Sequence, residues 1–352
     1  MNERKIEEYT VLRGVVTVLV VIGHSIVIKS ATQYGGYDYS VIGSTNRLCL
    51  KLFMILHDMI YSFHMPLFMA LSGALFYRTD NKKTLKKLIV NKGQRLIYPF
   101  IIVCLLWSFP LKYISGYWDN SSSVIRDFVV GQLLIQGNTH LWYLITLFWI
   151  FIVAFFYEKG NSNKVLKMIS LFFLYALSDL VSIKMISYIM KYLVWFFVGF
   201  YFESKRKHIN PKINNKLIIK MSCAYFLSFI INRYLMTGEL LIICIFRKCF
   251  DVCITTMGCF VVYSIAFKIS KLSDSKMFSN IRAFSEYSFG VYLYSDGLGY
   301  LILKVADILS RPFFYGTWYG YIVLFFLRTI GSTAGALWVA QIMKRYKIKY
   351  LY

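Results

Sequence analysis

An all-α bundle of about ten membrane-spanning helices, with both termini on the cytoplasmic side, is the fold that this sequence predicts. Three observations predict it. Apolar residues make up 58% of the 352 positions and charged residues only 16%, too few polar groups to clothe a water-soluble surface. Hydrophobic runs near 20 residues recur along the whole length, the span a helix needs to cross a hydrocarbon core that offers its backbone no partner. Lys and Arg gather in alternate connections between those runs, the signature that fixes orientation in a membrane.

The predicted spans are residues 11–28, 52–77, 96–114, 139–157, 165–181, 185–203, 217–236, 249–268, 287–305 and 317–343. The first is not followed by a small-residue cleavage site and reads as a retained helix rather than a signal peptide. The second contains Pro66, which frees a carbonyl one turn earlier, so a kinked helix beside a cavity is expected. The third follows Lys82, Lys83, Lys86, Lys87, Lys92 and Arg95, largely an orienting charge cluster. The fourth opens on His140-Leu141-Trp142-Tyr143, where aromatic residues are usually interface anchors. The eighth is preceded by residues 239–250, which read either as its continuation or as an interfacial or re-entrant piece. The long connections 29–51 and 115–138, rich in Gly, Ser, Asn and Tyr, are expected to be irregular, with 124–135 lying along the outer interface.

With the N-terminus inside, the inner segments hold 27 Lys and Arg and the outer loops 11, Lys112 being counted among the outer ones. An excess of that regularity supports an even number of spans. The whole chain, 1–352, reads as a single transmembrane domain, with no internal repeat of the kind found in inverted-repeat transporters. The balance of 40 Lys and Arg against 17 Asp and Glu does not argue for nucleic acid, because the cations are spread over alternate loops rather than gathered on one face. Seven cysteines without a CxxC pair, most of them inside apolar runs, read as small buried hydrophobes and not as a metal site.

A charged group at the centre of a span costs about 2.5–3.5 kcal/mol, so each one calls for a reason. Arg13 and His24 share the first span, and eleven residues at 100° each place them within about 20° of one face. Arg13 alone also reads as a side chain snorkelling to lipid phosphate; an intramembrane histidine on the same face favours a site. His64, beside Pro66, reads equally as a core histidine or as pocket lining. Lys92 and Arg95, three apart at the mouth of the third span, are suited to gripping a phosphate. Asp296 falls mid-span in the ninth helix and needs a partner or a proton.

Several blocks carry a resemblance: Arg13 and His24 with ten residues between them; Phe63-His64-Met65-Pro66-Leu67-Phe68 and Leu71-Ser72-Gly73; Lys92 and Arg95 before Pro99; Leu141-Trp142-Tyr143-Leu144; and the run from Tyr287 to Asp296. In order and spacing, and over nearly the whole chain, they resemble the membrane-bound acyltransferase 3 family, especially its branch of fucose 4-O-acetylase-like sugar O-acetyltransferases. The resemblance implies transfer of an acyl group, usually acetyl, from cytoplasmic acetyl-CoA or another acyl-CoA to a sugar hydroxyl across the membrane. It implies a catalytic His24, Arg13 on the donor path and Lys92 and Arg95 on the CoA phosphates. Two positions depart from the family pattern: Thr10 where an acid three before the arginine is common, and Ser295 where many relatives have histidine.

The residues support the same chemistry. A sugar hydroxyl is a weak nucleophile at neutral pH, and an imidazole can accept its proton as it attacks a thioester. Ser25 adjoins His24 but points about 100° away, so direct transfer is expected rather than an acyl-enzyme. The expected acceptor is a cell-envelope or exported polysaccharide, or a lipid-linked sugar. His64, Trp142, Tyr143 and Asp296 are expected to line the pocket, without a metal, in a multi-pass protein of the cell (plasma or inner) membrane. A rival class is a transporter or flippase of a lipid-linked sugar or small solute that uses His24, His64 and Asp296 as a proton relay. A purely structural scaffold would leave the intramembrane His and Asp unexplained.

Overall fold

A computed structural model describes residues 7–26, 31–36, 47–79, 84–137, 139–160, 163–235, 241–272 and 275–352, and only the backbone at 47, 235 and 241–245. Most of the loop expected over 29–51, and Glu239 and Leu240 at the start of the segment before the eighth span, lie outside the described residues.

Helix makes up most of the described part of every predicted span. Among the described residues seven segments are both long and apolar enough to cross a membrane: Glu7–Ser25, Leu48–Thr79, Leu85–Ile114, Trp142–Lys159, Lys184–Lys212, Phe246–Ser270 and Trp318–Arg345. The other three form helices that fall short of that measure. Lys164–Leu177 has only 14 residues, and Asn215–Leu235 and Lys276–Gly316 are long enough but not apolar enough. Among the described residues the one β-type contact is an isolated bridge between Thr32 and Gly35. Large apolar side chains such as Leu106, Phe173, Ile308 and Trp338 stand exposed, as lipid-facing surfaces do.

Helix α1 is Glu7–Ser25. The second span divides into α2, Arg47–Tyr61, and α3, His64–Thr79. The break at Ser62 and Phe63 has its cause four residues later, because the Pro66 ring collides with the carbonyl of residue 62 and offers it no N–H. The freed Ser62 carbonyl finds a partner on the helix Leu241–Ser270, where Thr255 Oγ1 donates to it at 2.8 Å; from the same helix Cys259 Sγ donates at 3.6 Å to Phe63 O, which also accepts from Leu67 N–H. The expected kink is therefore present, and its polar groups are satisfied by protein.

The third span reads α4, Leu85–Lys92, then α5, Tyr98–Val103, and α6, Phe109–Ile114, joined by π-helical turns at Gly93–Ile97 and Cys104–Ser108. Each widened turn ends two residues before a proline, Pro99 and Pro110, and gives the ring room that a regular α-turn lacks. The segment expected along the outer interface forms α7, Val124–Phe128, and a π-turn, Val129–Leu133. It also reaches inward, for Gln132 is buried.

The remaining helices are α8 (Trp142–Lys159), α9 (Lys164–Leu177), α10 (Lys184–Ile209), α11 (Asn215–Leu235), α12 (Leu241–Ser270), α13 (Lys276–Gly316), α14 (Trp318–Phe326) and α15 (Ser332–Arg345). Helix α12 is continuous, so the part of residues 239–250 that is described belongs to the eighth helix. Helix α13 is interrupted at Ser310, two residues before Pro312. A fourth π-turn, Leu327–Gly331, joins α14 to α15.

Two helix contacts set the frame. Helices α3 and α10 touch backbone to backbone at Gly73 and Gly199. A Cβ on either would lie 1.8 Å from a carbonyl oxygen, of Phe196 and Ala70 respectively, the close approach that small residues permit in membranes. Helices α1 and α13 run side by side in the same direction: Glu7 pairs with Arg282, Gly14 abuts Ser285, and His24 faces Asp296.

Candidate active site

That shared direction brings together His24 and Asp296, 272 positions apart in the chain. His24 Nδ1 lies 3.6 Å from Asp296 Oδ1, and its side chain keeps 29% of its surface exposed while the carboxylate keeps 9%. Apo catalytic contacts are often this long.

Two further basic side chains meet the same carboxylate. His140, just before α8, places Nδ1 2.9 Å from Asp296 Oδ2, and Lys112, near the end of α6, places Nζ 3.9 Å from it. Lys112 is the correction to the charge count above: it is 0% exposed, donates to Gln132 Oε1 at 3.0 Å, and lies over the rings of Tyr117 and Tyr300. It sits at the end of its helix as expected, but the 115–137 connection folds over it, so it is an interior charge and not a loop cation.

Hydrogen-bond chemistry fixes one proton of His140. Its Nε2 is 3.2 Å from the Leu293 carbonyl, which can only accept, so that nitrogen carries a proton. Its Nδ1 lies 2.9 Å from the Asp296 carboxylate but is not aligned for a hydrogen bond to it. Asp296 thus faces His24 through Oδ1 and His140 and Lys112 through Oδ2. Tyr292 holds the assembly by donating to the His140 carbonyl at 2.6 Å.

Arg328 fixes the end of α1. From its π-turn it donates Nη1 to the Ser25 carbonyl at 2.8 Å and Nε to Gly299 O at 3.3 Å, filling a carbonyl that a helix C-terminus leaves open. A buried charge inside the apolar run Phe325-Phe326-Leu327-Arg328 was the sequence signal for this residue, and the orientation count passed over it.

The remaining expected residues are distributed as follows. Arg13 is exposed between the buried Leu12 and Gly14, and lies close enough to the Tyr143 hydroxyl to interact with it electrostatically. Tyr143 shares a 2.9 Å hydrogen bond with Ser72. His64 is buried, with Nδ1–H donating to Ile60 O at 2.8 Å and its ring edge-on to Tyr61, which is itself 6.3 Å from the His24 ring. Trp142 packs on Tyr188 and Tyr192. Lys92 places its ammonium 3.8 Å over the Phe151 ring, and Arg95 is exposed on the first π-turn. Among the described residues no group of three or more His, Cys, Asp or Glu is placed to hold a metal ion.

An acyltransferase domain model, Acyl_transf_3, matches residues 6–339. The chain belongs to the acyltransferase 3 family. Family membership favours the acyl-transfer reading of the sequence over the transporter reading. Among curated relatives, the nodulation protein NolL of Mesorhizobium japonicum is 28% identical over 124 residues, 33% of this chain and 30% of that protein. The chain thus matches less than a third of that relative's length. No solved structure matches it.

Proposed function

We infer that this acyltransferase moves an acetyl group from cytoplasmic acetyl-CoA to a hydroxyl of a cell-envelope or exported polysaccharide, with His24 as the general base. The observation that carries the inference is the position of Asp296, with Oδ1 toward His24 and Oδ2 toward the buried basic side chains of His140 and Lys112. His24 accepts the acceptor proton through its free nitrogen, and the imidazolium so formed is stabilised by the carboxylate at its Nδ1, the division of labour of a base and its orienting acid. The acceptor oxygen bonds to the acyl carbon, the thioester C–S bond breaks, and the proton held by His24 passes to the departing sulfur. Arg13, Lys92 and Arg95 serve the donor. Trp142, Tyr143 and His64 shape the walls.

The whole chain acts in this reading as one transmembrane catalytic unit in the cell membrane, with ten spans and both termini inside. Helix directions support the count. Contacts run in parallel register between α1 and α13 and between α3 and α10, and in opposite register between α13 and α15, where Glu286 meets Lys344 and Gly290 meets Ala340. Those are the directions that spans one and nine, two and six, and nine and ten take when all ten alternate.

The test is transfer of labelled acetyl from acetyl-CoA by the purified protein. His24→Ala is expected to lower turnover about 10²–10⁴-fold. Undiminished turnover in that variant would remove His24 from the mechanism.

A further inference from the structure

Near His24, on the far side of Tyr61, lies a cavity of about 370 Å³ that the mechanism above does not use. Its volume falls within the roughly 300–1,000 Å³ of small-molecule sites. Tyr61, Tyr175, Tyr192, Trp195 and Phe229 supply aromatic wall, and Asp58, Asn232, Arg233, Asp251, Lys191 and Arg247 supply polar groups. Tyr61 belongs to both places: its residue is 40% exposed, and its ring stacks on His57 and lies 6.3 Å from that of His24.

We propose that this cavity is the acceptor subsite, and that it takes one pyranose residue of a glycan bearing a negative charge on or next to that residue. The proposal rests on the acetyl-transfer reading for its chemistry and on the cavity for its location. Flat aromatic faces suit the apolar C–H face of a sugar ring, and forked carboxylate, amide and guanidinium groups suit its hydroxyls. The forks are held in place beforehand. Asp58 pairs with Arg233 and is met by His57 at 3.1 Å, and Asn232 Nδ2 donates to Asp251, while Asn232 Oδ1 is buried without a hydrogen-bond partner. A site built on such groups rejects ligands that leave them unmet.

Charge sets the preference. Three cations, Lys191, Arg233 and Arg247, line the cavity against two carboxylates, and Arg233 is taken up by Asp58. Lys191 and Arg247 both act on Asp251 electrostatically, so one carboxylate is shared by two cations. The excess positive charge fits a uronate carboxylate or a phosphate linked to the sugar, and both present the same anionic oxygens.

The experiment measures acceptor and donor KM with labelled acetyl-CoA and a panel of short glycans: neutral, uronate-containing and phosphate-linked. The wild-type protein is expected to favour an anionic glycan over its neutral counterpart about tenfold, one hydrogen bond's worth of discrimination. Arg247→Gln and Lys191→Gln, made at an exposed and a half-buried side chain respectively, are expected to raise the anionic acceptor KM severalfold and erase the preference while leaving donor KM unmoved. Whichever anionic member shows the preference identifies the source of the charge. Equal KM for neutral and anionic glycans, or unmoved acceptor KM in both variants, overturns the proposal. Were the wild type to turn over no acetyl-CoA at all, the transfer reading would fall, and saturation-transfer NMR of the same glycans would still decide the cavity: binding weakened by the two substitutions sustains it, and binding that ignores them ends it.

Discussion

Two cavities of different size lie near the two ends of α1, and cations line part of each. Beside Glu7 and Glu8 is a space of about 940 Å³ that is largely basic, with Arg78, Arg206, Lys207, Lys268 and Lys271 in its lining. Its arginines are tied to acids: Arg206 to Glu8 and Glu203, and Arg78 to Glu203. About 24 Å further along the helix, by its rise of 1.5 Å per residue, is the smaller aromatic cavity beside Tyr61. The larger space is not the one beside the reactive cluster. Volume reports where water and phosphate-rich groups have room, whereas proton transfer calls for an imidazole held against a carboxylate, as His24 is against Asp296.

On this division the smaller end should carry rate and the larger end should carry donor affinity. The largest expected effect is at the shared carboxylate. Asp296→Asn leaves His24 without its orienting charge and His140 and Lys112 without their counter-ion, and kcat is expected to fall about 10²-fold or more with donor KM little changed. A kcat within a few-fold of wild type would mean that the cluster is structural. Next comes the contact that ties the two ends together. Gly199→Ala drives a methyl into the Ala70 carbonyl, and thermal unfolding in detergent is expected to show a loss of about 1–3 kcal/mol.

A smaller loss, about 1 kcal/mol, is expected for Thr255→Val, which strips the donor from the Ser62 carbonyl that Pro66 frees. Because that carbonyl lies at the rim of the Tyr61 cavity, the same variant should alter acceptor KM before donor KM. Smallest is the basic end. Replacing Lys207 and Lys268 with Gln is expected to raise donor KM a few-fold, and the difference should shrink with added salt, as exposed charge effects do. If acceptor KM moved instead, the assignment of the two ends would be reversed.

Much of the fold was legible in the chain, because hydropathy and helical period are local quantities. Helix makes up most of the described part of all ten apolar runs, and Pro66 announced both the break at Ser62 and the need for a donor to meet it. Arg13 and His24 could be placed on one face from spacing alone. The site was only half legible. His140 was noticed without a role, Lys112 was assigned to a loop, and Arg328 was passed over, because burial of a charge depends on what covers it. The segments that do so are distant in sequence: Gln132 for Lys112, and Ser25 with Gly299 for Arg328. The π-turn that follows Lys92 and carries Arg95 was also hidden, since widened turns depend on how the helix settles around Pro99.

By itself, then, the sequence determined a helical membrane protein, its apolar segments and the rare polar groups within them, since burying such groups in lipid is costly wherever they occur. Tertiary structure alone decided that α1 and α13 lie parallel in one register, which brings an imidazole and a carboxylate 272 positions apart to 3.6 Å. That register is set by side-chain and backbone fit between helices, as at Gly14 against Ser285, and no local pattern of hydrophobicity encodes it.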